Sequence, residues 1–185
     1  PDPAGASREF NDYVFERAVR RRDSDGVTSY RRIDLYKRGC FILEAKQSRM
    51  PGASNALPPR QSGAGDAGRV KQGMPSSWDV MMRNARRQAE QYVFLLEPDH
   101  PSPPFILVYD VGNVFEIYAD FSGTGRGYTH FPDSNQYRIS IHELRRPEIR
   151  EFFRRIWTDP YSLDPARRKA LVTRKVAGRL AVVSK

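Results

Sequence analysis

The stretch RRIDLYKRGCFILEAKQ, residues 31–47, decides how the rest of the chain is read. It belongs to two runs rich in aromatic and aliphatic residues, Thr28 to Lys37 and Cys40 to Gln47, with a tight turn at Arg38–Gly39 between them. That is the pattern of an antiparallel hairpin. In the first run Arg32, Asp34 and Tyr36 project from one face, Ile33 and Leu35 from the other. In the second, Ile42, Glu44 and Lys46 share a face, and Phe41, Leu43 and Ala45 share the opposite one. Glu44 and Lys46 thus project together, and the turn brings Asp34 across from them. Charges at the end of apolar strands are costly unless they are paired or bind metal.

Two carboxylates supply hard oxygen ligands for Mg2+, which takes only one or two of them. A nearby lysine stabilises developing negative charge or orients an attacking water. Metal-assisted hydrolysis of a phosphodiester calls for those groups together. The alternative is an ordinary ion pair between Glu44 and Lys46.

Upstream, Tyr13 to Arg20 reads as a strand, followed by a polar turn at Asp23–Gly26. Residues 1–12 read as a partly ordered N-terminal segment. Downstream, residues 48–77 are rich in Gly, Pro, Ser and Ala and have no period, so a long flexible loop is expected. Trp78 to Leu96 is the clearest helix, with Trp78, Met81, Ala85, Ala89, Tyr92 and Leu96 at three- and four-residue spacing. Pro104 to Val111 is an almost continuous apolar run, the pattern of a central buried strand. Val114 to Phe121 is its neighbour across a Gly-Asn turn, and Tyr137 to Ile141 is a short further strand. Asp110, Glu116 and Asp120 read as strand-end and turn caps. Pro147 to Trp157 is a second helix, with Pro147 at its first position. A third starts at Asp164–Pro165 and carries Val172, Val176, Leu180 and Val183 on one face. The fold class is α/β, a central mixed sheet of about five strands flanked by helices.

The chain has 185 residues and a formal net charge of +9, which favours a polyanionic partner, nucleic acid first. One cysteine, Cys40, excludes an internal disulfide and a multi-cysteine zinc site. The histidines, His100, His130 and His142, lack the spacing of a helical metal pair. No apolar run approaches the ~18–20 residues that span a bilayer. No signal peptide is visible, so a cytoplasmic location is expected.

Asp34, nine residues, then Glu44-Ala45-Lys46 resembles the PD-(D/E)xK nuclease superfamily, with Ile33 where the pattern's proline would stand. Gln88 and Tyr92 lie four apart on one helix face. An amide on an otherwise apolar stripe needs a hydrogen-bonding reason. Gln88-x3-Tyr92 resembles the QxxxY element of RecB-like and type I restriction nucleases. Gln47 extends the likeness to Glu-x-Lys-Gln. SYRRIDLYKRGCFILEAKQS, WDVMMRNARRQAEQYVFLL and FILVYDVGNVFEIYADFSG together are most similar to the N-terminal nuclease region of MmeI-like type IIL restriction-modification enzymes, over roughly residues 13–160.

That resemblance implies a restriction-endonuclease-like fold and a metal-dependent endodeoxyribonuclease of bacterial phage defence. Asp34, Glu44 and Lys46 would be catalytic. Asp34, Glu44 and the carbonyl of Ala45 would hold Mg2+, for which Mn2+ can substitute, and Glu16 is a further metal-side candidate. Gln47, Gln88 and Tyr92 would support the site. The implied division is a nuclease domain over 13–160 and, from 161 to 185, the start of a helical linker to a missing downstream domain. The implied partners are DNA, the adenine-specific methyltransferase and target-recognition domains of the same parent, and a transient second copy for double-strand cleavage. S-adenosylmethionine would belong only to that missing part. A catalytically silent nucleic-acid-binding module and a repair-type nuclease are the other readings.

No base-reading helix is visible, and phosphate contacts carry no sequence information. The chain is therefore expected to bind specific and scrambled duplexes equally, with affinity falling steeply as salt rises. Titration at two salt concentrations checks this, and a preference of about tenfold or more for one sequence, about 1.4 kcal/mol, would contradict it.

Overall fold

The structure, a computed structural model, describes residues 13–22, 28–48 and 77–183, without the side chains of Arg22 and of residues 175–183. The expected N-terminal segment 1–12, and all of the expected loop 48–77 except Ser48 and Ser77, lie outside these residues. In chain order the elements are β1 (Tyr13–Arg22), β2 (Thr28–Lys37), β3 (Phe41–Lys46), α1 (Ser77–Val93), β4 (Phe105–Asp110), β5 (Val114–Ala119), β6 (Thr129–His130), β7 (Arg138–Ser140), α2 (Pro147–Thr158) and α3 (Pro165–Val183). Short 3-10 helices at Ile141–Arg145 and Pro160–Leu163 flank α2.

The fold is α/β, as expected, and among the described residues one mixed sheet has seven strands where about five were expected. The order is β1-β2-β3-β4-β5-β6, with β7 also pairing β5. The added β6 has two residues, too few to show a period in the sequence. The hairpin of β2 and β3 is antiparallel, with Leu35 opposite Leu43, Tyr36 opposite Ile42 and Lys37 opposite Phe41. Its turn closes with the Cys40 N–H donating to the Lys37 carbonyl at 3.1 Å. Gly39 adopts φ +66° there, which explains why glycine occupies the turn. Only β3 and β4 are parallel, so the chain must cross over between them, and α1 lies in that crossover.

Two cores follow from the pleat. One lies between the sheet and α1 and joins Ile33, Tyr36, Ile42, Ile106, Val108 and Tyr118 to Trp78, Met82, Ala85, Ala89 and Tyr92. The other joins Phe41, Phe105, Leu107, Ile117 and Ile139 to Ile156 of α2 and to Leu163. The helix presents Met82 to the core, while Met81 is only partly buried, and Leu96 falls past the helix end at Val93. A contact face that includes Val93 as well as Tyr92 rotates the stripe by about one residue. Among the described residues no helix is long and apolar enough to cross a membrane.

The alternation expected along β2 fails at one place. Ile33 and Tyr36 bury in the same core, while Leu35 packs against the other. Residues three apart cannot share a face of a regular strand, so the pleat slips at Asp34. Cross-strand from Asp34 in the β1 register stands Glu16, whose φ of +52° lies in the left-handed region. β2 leaves β3 at the same point: no pair beyond Leu35 and Leu43 forms.

Asp110, at the end of β4, is 1% exposed and does more than cap a turn. It accepts from the Ser48 N–H at 2.9 Å, the Trp78 indole at 2.9 Å and the Asn113 amide at 3.0 Å. One side chain thus ties together the chain just after β3 and the start of α1. Asp110→Ala leaves three donors without their acceptor and is expected to cost about 3 kcal/mol. Urea unfolding checks it: the midpoint should fall with an unchanged slope, and a loss under about 0.5 kcal/mol would show that the clamp contributes nothing.

Candidate metal centre and active site

The site forms where β2 departs from β3. With no strand partner on that side, the N–H of Ala45 needs another acceptor, because a buried unpaired donor is costly. The Asp34 carboxylate supplies it at 2.7 Å. This side-chain bond replaces the next rung of the ladder and fixes Asp34 beside Glu44-Ala45-Lys46. Glu44 faces the α1 side of the sheet, next to Val108 of β4, and is 2% exposed. Burial is the largest influence on its carboxyl and pushes it above the usual carboxylate range; the nearby charge of Asp34 pushes the same way, while Lys46 opposes both.

The Lys46 ammonium lies 2.6 Å from Glu44 Oε1. It also donates to Gln88 Oε1 at 3.3 Å, and Gln88 Nε2 donates to the Tyr92 hydroxyl at 2.6 Å. The amide therefore has one orientation, with its oxygen toward the cation and its nitrogen toward the phenol. This accounts for a glutamine on an otherwise apolar helix face. Burial pushes the Tyr92 hydroxyl up, so it keeps its proton at neutral pH.

Glu44 Oε2 is buried and has no hydrogen-bond partner. A carboxylate oxygen left so is expensive unless something absent from the chain satisfies it. A divalent cation fits that position. The donors beside it are hard oxygens of Asp34 and Glu44, and no cysteine or histidine joins them. Among the described residues no group of three His, Cys, Asp or Glu side chains gathers around one point.

Asp34, Glu44, Ala45, Lys46, Gln88 and Tyr92 thus come together, all but Asp34 and Ala45 in one chain of contacts. Glu16 does not join them: its carboxylate is 64% exposed and pairs with Arg32 at 3.1 Å. Gln47 is exposed. Sequence reasoning missed a second polar group in the α1-side core. Glu116, 2% exposed, accepts from Arg138 at 2.8 Å and from the Tyr118 hydroxyl at 2.7 Å. It is no turn cap. The signal was present in the alternation of Val114 to Ala119, which puts Glu116 on the side of Val114 and Tyr118.

The raised carboxyl has a thermodynamic consequence. The folded state holds the Glu44 proton to higher pH than the unfolded chain does, so this group's contribution to stability falls as pH rises from the unfolded value of 4.5 through the folded one. Glu44→Gln removes that dependence. Without divalent cations the variant should melt above the wild type at pH 7, with the gap narrowing as pH approaches 4.5. Added Mn2+ should raise the wild-type melting temperature and leave the variant unchanged. Melting curves across pH, with and without Mn2+, check both; a variant less stable at pH 7, or equally stabilised by Mn2+, would contradict this account.

No curated protein and no solved structure matches the chain. One family model does, described as MmeI, N-terminal domain, over residues 6–185. The match takes in the β2–β3 hairpin, the Gln88–Tyr92 helix face and everything between them, so the chain belongs to the MmeI N-terminal domain family.

Proposed function

We propose that this chain is a metal-dependent endodeoxyribonuclease and forms the DNA-cutting part of a restriction-modification enzyme. Membership in the MmeI N-terminal domain family supports the restriction-modification setting and a larger, multidomain parent. The observation that carries the nuclease reading is the buried, unpartnered Glu44 Oε2 beside Asp34 and Lys46. A structural ion pair would satisfy both carboxylate oxygens; here one buried oxygen has no hydrogen-bond partner among the described residues.

In this reading Asp34, Glu44 and the Ala45 carbonyl would hold Mg2+ or Mn2+. When bound, the cation supplies Lewis-acid stabilisation of the charge that builds on the phosphate. The Ala45 N–H holds Asp34 in place. Lys46, kept within reach of Glu44 and Gln88, would orient the attacking water or offset negative charge on the non-bridging oxygens of the pentacoordinate transition state. Gln88 positions Lys46 and is itself held by Tyr92. Cutting both strands of a duplex takes a second copy of the site. The methyltransferase and target-recognition domains, with S-adenosylmethionine, belong elsewhere in the bacterial parent, and a cytoplasmic location follows from that role.

Lys46→Ala should lower cleavage of plasmid DNA in Mg2+ by at least about 100-fold, since a donor that acts on the transition state is worth that much. Duplex affinity should stay within a few-fold, because phosphate contacts are spread over many basic residues. The checks are a cleavage time course and a binding titration on the same preparations. Cleavage that survives within a few-fold would remove Lys46 from the catalytic set.

A further inference from the structure

The register of β1 with β2 determines which way each arginine of that hairpin projects. Beyond Asp34, β2 no longer pairs with β3, so residues 28–33 form with residues 17–22 a two-stranded arm. Val19 stands opposite Arg31, and Arg17 opposite Ile33. Cross-strand partners and their second neighbours share one side of a ribbon. Val19 and Ile33 are buried in the core that contains Tyr92 and the inner face of α1. Arg31 therefore leaves the arm on the α1 side, the side of Glu44, Lys46 and Gln88. Arg32 stands opposite Ala18, on the other side, with Arg20 and Tyr30.

The two neighbouring arginines also differ in what they touch. Arg32 pairs with Glu16. Arg31 is exposed, and its guanidinium forms no ion pair with another described residue. Its charge is felt at the Tyr92 hydroxyl, the far end of the contacts that run through Gln88 to Lys46. Lys46 is committed to Glu44, whereas Arg31, on the same side of the sheet, has a guanidinium that no other described residue engages. A guanidinium suits two phosphate oxygens at once, which an ammonium does not.

We propose that Arg31 is a substrate-binding residue of this site, gripping a phosphate of the DNA backbone adjacent to the one that is cut. This rests on the nuclease reading above and adds to it a wall: the arm holds the strand from one side while the Asp34–Glu44–Lys46 floor acts on the neighbouring phosphate. Contact with a non-reacting phosphate binds ground and transition states alike, so its loss appears in KM and not in kcat.

The experiment compares Arg31→Ala, Arg31→Lys, Arg32→Ala and Glu44→Gln in the full chain. Cleavage is followed in Mg2+, and duplex binding by fluorescence anisotropy without divalent cation at several salt concentrations. Arg31→Ala should raise KM about tenfold with kcat within about threefold, and lower the salt slope of binding by about one. Arg31→Lys should fall between it and the wild type, since charge survives and the fork does not. Arg32→Ala, on the opposite side, should match the wild type in both assays. Equal effects from Arg31→Ala and Arg32→Ala would overturn the proposal, because net charge alone would then explain them. So would an Arg31→Ala variant that binds and cuts like the wild type. Cleavage by Glu44→Gln at the wild-type rate would instead sink the nuclease reading, whatever Arg31 does in the binding assay.

Discussion

Glu44 is a carboxylate in an apolar core, and the arrangement around it follows from what that costs. One oxygen has a counterion, Lys46, at 2.6 Å; the other has nothing. Lys46 in turn is partly exposed and needs a second partner to stay aimed inward, which Gln88 supplies. Gln88 is held by Tyr92, and Tyr92 is buried in the core beneath α1. Packing of one helix against the sheet thereby sets the position of a charged pair two strands in from the hairpin edge. A protein selected for stability alone would gain by replacing this half-satisfied carboxylate with an apolar side chain. A half-satisfied buried carboxylate is the kind of local cost that functional sites carry.

The second constraint is the parting of β2 from β3. Beyond Leu35 the two strands separate, the pleat slips at Asp34, and its side chain substitutes for the missing ladder bond to Ala45. The same parting frees residues 28–33 to continue with β1 as an arm beside the site. One local irregularity thus fixes the Asp34 carboxylate beside Glu44-Ala45-Lys46 and separates the β1–β2 arm from β3. Glu16, cross-strand from Asp34 with φ +52°, sits at the same irregularity, and its carboxylate turns outward to Arg32.

Much of this was legible in residues 31–47. A two-residue period and a glycine turn suffice to place Glu44 and Lys46 on one face, because β3 is regular. The helix face that carries Gln88 and Tyr92 was equally visible, since four residues make about one turn. What the sequence did not show depends on non-local contacts. The slip at Asp34 follows from where β3 turns away, which no pattern within β2 reveals. The donors that Asp110 satisfies, at Ser48 and Trp78, are separated from it by 62 and 32 positions. The Glu116–Arg138 pair likewise joins two strands across an intervening stretch without regular period. The side of the arm on which Arg31 lies depended on the burial of Val19 and Ile33, and simple alternation from Asp34 would not have related Ile33 to Tyr36.

In the proposed function Asp34 and Glu44 would hold one divalent cation between them. Crystals of the chain grown or soaked in Mn2+ and measured at the manganese absorption edge address it most directly. One anomalous peak is expected, bounded by Asp34, Glu44 Oε2 and the Ala45 carbonyl, with its loss in Glu44→Gln crystals. A peak elsewhere on the chain, or Glu44 Oε2 satisfied by an ordered water with no metal nearby, would contradict it.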